Sequence, residues 1–215
     1  MTSRLVRSRI ARGKSLGFSL LELMIVIAIG LTMAGVTFMA LMPLMKQNHV
    51  DQAYDMTLSV LRTFRNQAIT SSGRYIISFP TNQTIQVQFW GYASPVSSAP
   101  TAVSSYTLPP DMQFAVQAGL PTAAPDFPGL NGTTAIQFNA CTITESGNPC
   151  VIFNPDGSAQ DDAGTPGNYN NGVLYITRPT SNVYSSRAIT IWGATGRIRG
   201  WRLYSQGGVN TWVQQ

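Results

Sequence analysis

Few residues in this chain of 215 can do chemistry, so their spacing decides the matter. His49 is the one histidine, and no Ser, Cys or acid stands around it in a recognisable catalytic pattern. Triad or general-base catalysis therefore has no constellation to work with, and His49 reads as a solvated or interfacial side chain of a non-enzyme. Asp156, Asp161 and Asp162 lie close together in a turn-rich stretch, and oxygen-rich loops can hold calcium. Their spacing fits no EF-hand, so solvated turn carboxylates are expected, with no metal and no cofactor. Cys141 and Cys150 bracket a segment in which Ser146-Gly147-Asn148-Pro149 can turn the chain back. Outside the cytoplasm the pair is expected to close a small disulfide loop, the alternative being two buried thiols.

The strongest asymmetry is in the arginines. Residues 163–215 hold Arg178, Arg187, Arg197, Arg199 and Arg202 and no acid. The whole chain has 14 Lys+Arg against 9 Asp+Glu, a net charge of +5. Arg4, Arg7, Arg9, Arg12 and Lys14 all fall in the first 17 residues, however, and without them the basic and acidic counts are equal. The whole-chain charge therefore says little about partners, whereas the local C-terminal excess points to an anion. If residues 197–201 are extended, Arg197, Arg199 and Trp201 share one face and Ile198 takes the other. Two guanidinium groups beside an indole can hold phosphates while stacking a base, and Gly196 and Gly200 would let backbone approach closely. The competing readings are solvated strand arginines and arginines paired to neighbouring subunits.

These residues need elements to position them. Residues 23–45 carry no charged side chain, and about 20 apolar residues suffice to cross a bilayer as a helix. Basic residues precede this run and are sparse after it, so the N-terminus is expected in the cytoplasm and residues after 45 outside it. The run is longer than the apolar part of a secretory signal, and Lys46-Gln47-Asn48-His49 is no small-residue cleavage site. Glu22 sits at its edge, where a carboxylate costs about 2.5–3.5 kcal/mol on insertion scales and so is normally kept for a function.

Val50, Ala53, Tyr54, Leu58, Leu61, Phe64, Ala68 and Ile69 then recur at helical spacing, extending the helix as an amphipathic segment over 46–73. Pro43 should kink or loosen it, and Gly73 should cap it. Residues 74–80 and 84–92 alternate around a turn at Asn82 and read as a hairpin. Further strands are expected at 105–108, 112–116, 135–139, 150–154, 172–177, 187–192 and 198–204, with loops at 93–105 and 117–134. The fold class is α+β: a long N-terminal helix on an antiparallel β head covering 74–215.

The leader ending in Gly17, followed by Phe18-Ser19-Leu20-Leu21-Glu22-Leu23 and an apolar helix, resembles the class III signal peptide of type IV pilins and type II secretion pseudopilins. The resemblance implies removal of residues 1–17 by a prepilin peptidase, methylation of the new N-terminus at Phe18, and a filament-core helix over 18–45. It also implies that Glu22 pairs with the terminal ammonium of a neighbouring subunit. The protein would then be a single-pass inner-membrane protein with a periplasmic head, assembling with other pilins or pseudopilins. Within the head, Tyr106-Thr107-Leu108-Pro109-Pro110-Asp111-Met112, Val151-Ile152-Phe153-Asn154-Pro155-Asp156-Gly157-Ser158, Gly172-Val173-Leu174-Tyr175-Ile176 and Arg187-Ala188-Ile189-Thr190-Ile191 resemble the GspH/FimT group of minor pilins. There a GRxR motif is associated with binding DNA during natural transformation, and Gly196-Arg197-Ile198-Arg199 fits it. The resemblance thus implies double-stranded DNA contact through Gly196, Arg197, Arg199, Trp201 and Arg202. Two alternatives are a GspH-like pseudopilin with no nucleic-acid role, and a membrane-anchored β-domain adhesin or sensor outside any filament.

Overall fold

The computed structural model describes residues 18–91, 99–121, 133–141, 147–161 and 168–215, and of residues 42–47 the backbone alone. The leader through Gly17, Asp162 and most of the two expected loops lie outside these residues. The chain divides into two compact units, Met1–Leu44 and Met45–Gln215.

Helix α1, Leu20–Ser71, contributes to both. In the first unit its residues Leu20–Leu41 have a mean hydropathy of 2.3, and none of the span counts as buried within the protein. The carbonyl of Ser19 accepts hydrogen bonds from the amides of Glu22 and Leu23, which starts the helix. Thr32 and Thr37 turn their hydroxyls back to the carbonyls of Ile29 and Met33. Neither hydroxyl is left unsatisfied on an otherwise apolar surface, as a lipid environment requires. The helix runs on through Pro43, so the proline does not end it.

In the second unit α1 buries Val50, Ala53, Tyr54, Leu58, Leu61, Phe64 and Ala68, with Thr57 among them. The expected stripe is present except at Ile69, which is exposed at the last turn. The left-handed residue after the helix is Ser72, at φ 50, and not Gly73. Gly73 is needed for a different reason: a Cβ there would strike the Phe89 ring.

Among the described residues ten strands follow: β1 Arg74–Thr81, β2 Thr84–Trp90, β3 Thr101–Thr107, β4 Gln113–Phe114, β5 Cys150–Phe153, β6 Ala159–Gln160, β7 Gly172–Thr177, β8 Arg187–Trp192, β9 Arg197–Gln206 and β10 Val209–Gln214. They form two antiparallel sheets of order β3-β2-β1-β5-β6 and β10-β9-β8-β7-β4. β3 begins before the expected 105, inside the stretch read as loop, because Thr101 to Thr107 pair along β2. The strand expected at 135–139 is reduced to a single bridge from Ile136 to Leu174. β6 and β10 were not expected at all.

The period of two sorts the side chains. Ile77, Phe79, Ile85, Val87, Val151 and Phe153 of the first sheet and Leu174, Ile176, Ile189 and Ile191 of the second share one core with the outer half of α1. The second sheet's opposite face has its own cluster of Val173, Tyr175, Ala188, Trp201, Leu203 and Trp212 under Leu120. On the first sheet's opposite face the disulfide packs with Ile76 and Ile152. The outer half of α1 therefore rests on an antiparallel β head whose sheets are covered on both sides in part.

Candidate functional site

The GRxR segment opens β9 in a hairpin with β8. Trp192 is paired with Arg197, Thr190 with Arg199, Ala188 with Trp201 and Arg187 with Arg202. This register places Arg197, Arg199 and Trp201 on one face and Ile198, Gly200 and Arg202 on the other. Ile198 packs on the main core. Arg197 is exposed and Arg199 half-buried.

At three places on this strand the surroundings belong to the fold itself. Trp201 is 2 % exposed, and its indole Nε1 donates to Thr190 Oγ1 at 2.9 Å. The shared face is solvent-facing at Arg197 but roofed at Trp201, so this indole offers no stacking surface. Arg202 faces away from Arg197 and Arg199 and lies over the Tyr204 ring, 5.5 Å from its centroid. The two glycines admit other parts of the chain and not a ligand. A Cβ on Gly200 would fall on the Tyr54 hydroxyl, and one on Gly196, at φ 58, would fall on the Gly157 carbonyl.

What the fold does bring to Arg197 is α1. Arg62, Arg65 and Asn66 of the helix and Trp192, Thr195 and Arg197 of the hairpin line a cleft of about 650 Å3. Arg65 ties its walls together: Nε donates to the Gly157 carbonyl at 3.1 Å and Nη2 to the Thr195 carbonyl at 2.9 Å. Arg62 and Arg65 are neighbours on one helix face by their spacing of three. No carboxylate is among the described lining residues. Arg62, Arg65 and Trp192 were missed in the sequence. The only signal was their type, since the helix and the hairpin are far apart in the chain.

The acid-free C-terminal stretch has acids as partners from elsewhere. Arg187, 3 % exposed, donates Nη2 to Asp51 Oδ1 at 2.7 Å. Arg178 Nε lies 3.3 Å from Asp111 Oδ2, and Asp111 Oδ1 is 2.7 Å from His49 Nδ1. His49 is therefore not a merely solvated side chain; it joins α1 to the residues before β4. Asp156 accepts from the amide and hydroxyl of Ser158, and Asp161 from the amides of Asn139 and Asn168. No group of three or more metal-ligating side chains occurs among the described residues. Cys141 and Cys150 form a disulfide, with Cα atoms 5.6 Å apart.

The Tyr54 hydroxyl is buried against Gly200, and no hydrogen-bond partner reaches it among the described residues. Burial pushes its phenol above the usual 10.0, against the opposing pull of the nearby Arg62 charge.

An apolar N-terminal helix with an acid in its first turn, continuing into an antiparallel β head, defines a pilin-like α+β protein. Phe18 and Glu22 stand at the start of that helix, both exposed. Residues 12–38 match the prokaryotic N-terminal methylation motif, the type IV prepilin-like leader, which supports a type IV pilin or pseudopilin processed by a prepilin peptidase and anchored in a membrane. No characterised protein and no solved structure matches the chain at a significant level.

Proposed function

We propose that this protein is a minor pilin of the GspH/FimT kind, a non-catalytic subunit of a type IV pilus that binds DNA nonspecifically during uptake. Its leader holds residues 1–17 in the cytoplasm, Gly17 marks the cut, and the head is periplasmic. The observation that carries the DNA reading is the exposed guanidinium of Arg197, beside Arg199 on one face and the acid-free arginine cleft on its other flank. Phosphate contacts from arginine need no base-reading geometry, which suits sequence-independent capture.

The full chain, purified in detergent, should bind a labelled mixed-sequence duplex with an affinity that falls steeply with salt. Arg197→Gln/Arg199→Gln should weaken binding and lower the slope of log affinity on log salt by about 2, near 0.9 for each phosphate that is no longer neutralised. Unchanged affinity and slope would remove the motif from the function.

A second reading is a pseudopilin of a type II secretion system without a nucleic-acid role. The engagement of Arg178 and Arg187 by Asp111 and Asp51 favours it, because those arginines serve the fold. In that case the wild-type chain ignores DNA and co-purifies with other pseudopilins.

A further inference from the structure

We propose that the tip of the β9–β10 hairpin is a lipid-surface contact, a wedge that enters the headgroup layer of the bilayer in which α1 is anchored. The inference goes beyond the nucleic-acid reading and does not depend on it. It rests on the membrane anchoring that the leader motif and the apolar helix support.

The direction of β9 follows from what it meets on α1. Gly196 lies against Arg65, Gly200 against Tyr54, and Arg187, paired with Arg202, bonds Asp51. Strand numbers rise as helix numbers fall, so β9 runs antiparallel to α1, toward the end of the head at which the chain continues into Leu20–Leu41. Gly207 is five residues beyond Arg202, about 17 Å at about 3.3 Å per strand residue. Counted along the chain, Asp51 is ten residues past Leu41, about 15 Å of helix at about 1.5 Å per residue. From where it is held, the hairpin is long enough to reach the lipid surface.

The side chains at the tip suit a headgroup layer. Val209 is 65 % exposed, more than any other large hydrophobic side chain described in the second unit. Tyr204 and Val213 are exposed on the sheet face that carries Gly200. Tyr184, in the short 3-10 turn Val183–Ser185, flanks the other face and donates its hydroxyl to Asn210 Oδ1 at 3.1 Å. Between the two tyrosines the turn at Gly207 and Gly208 stands clear, since no described atom lies within 4 Å of where a Cβ on either would sit. Tyrosine concentrates at membrane–water interfaces because its ring enters the apolar boundary while its hydroxyl stays wet.

Charge agrees with this placement. Residues 163–215 carry no acidic side chain, so neither the hairpin nor the 3-10 turn brings a carboxylate to anionic lipid phosphates. Arg202 supplies a cation beside the tip, lying over the Tyr204 ring at 5.5 Å from its centroid. The bilayer is the occupant because the same chain already enters it: the tip extends an existing lipid contact and needs no second partner to bring it there.

The test uses the full chain with Val209→Cys, whose thiol is the one available for labelling because Cys141 and Cys150 are bridged. It is placed singly in nanodiscs of phosphatidylcholine and phosphatidylglycerol, with a fluorophore on the thiol and spin-labelled lipid headgroups as the quencher. Val103→Cys, exposed on β3 of the other sheet, is the reference. Lipid should quench the Val209 probe several-fold more strongly than the Val103 probe, a comparison that stands whatever further substitutions do to the fold. Tyr184→Ser/Tyr204→Ser removes the interfacial anchors and leaves the probe, and should lower quenching at Val209 to the Val103 level with the thermal midpoint near that of the parent. Equal quenching at both positions, or quenching at Val209 that the tyrosine substitutions do not reduce, overturns the lipid contact. Shielding of the Val209 probe only in nanodiscs that hold several copies, without quenching by labelled lipid, would assign the tip to another subunit and also overturn it.

Discussion

Gly200 is where β9 meets α1 most closely. A Cβ there would lie on the Tyr54 hydroxyl and 2.6 Å from the ring carbon that bears it. Overpacking of this kind costs about 1–3 kcal/mol, so Gly200→Ala should lower the unfolding midpoint accordingly in thermal or denaturant melts. Tyr54→Phe deletes the nearest obstructing atom and should recover part of that loss, which a double-mutant cycle would register as coupling between the two sites. Alone, Tyr54→Phe removes a buried hydroxyl with no partner among the described residues, so at neutral pH it should be close to neutral or slightly stabilising.

The same phenol sets a pH dependence whose sign follows from its burial. The folded state holds the Tyr54 proton above the ordinary value of 10.0. Between the unfolded and folded values the native state binds more protons than the unfolded one, so stability is fully present below about pH 10 and falls as pH rises through the folded value. Unfolding midpoints of Tyr54→Phe should therefore decline less steeply above pH 10 than those of wild type. Parallel alkaline limbs would show that this group contributes nothing to alkaline unfolding.

At the scale of elements, the disulfide links the strand start at Cys150 to the bridge at Ala140 and is buried beside Ile76 and Ile152. Closing a loop of about ten residues stabilises by about 2–3 kcal/mol in the chain-entropy account. Cys141→Ala/Cys150→Ala should lower stability by that amount in equilibrium denaturation. An equal midpoint with and without the bridge would mean that it adds no net stability.

The elements were legible where a period repeats. Val50 to Ala68 recur at helical spacing over five turns, and the residues of β1, β2, β7 and β8 form runs long enough to register. β6, two residues long, has no period to detect. β10 could have been found, because Gly207 and Gly208, at φ 59 and 82, form the kind of two-glycine turn that joins hairpin strands. Trp201 shows the limit of alternation: it gives the face, but Leu120 and Trp212 decide whether the face is covered. The cleft was illegible for the same reason, since Arg65 and Thr195 become neighbours only through the fold.

The whole molecule carries two apolar surfaces with different fates. The head buries a core of its own, whereas no residue of Leu20–Leu41 is buried, and an apolar surface of that length calls for cover by lipid or by other subunits. Charge follows the same division. On the proposed reading, the five basic residues before Gly17 orient a precursor, and their removal leaves equal numbers of acidic and basic side chains, with an ammonium created at Phe18. On the proposed filament reading that ammonium pairs with Glu22 of a neighbour, because a carboxylate alone in an apolar surround is costly. Glu22→Leu makes the helix more apolar, so membrane retention after alkaline extraction should be unchanged or stronger, and mass spectrometry should still find a methylated N-terminus at Phe18. Incorporation should instead fall several-fold, read as the share of protein recovered in sheared filaments. Equal recovery of Glu22→Leu and wild type in filaments would mean that Glu22 is not the group that sets subunit register.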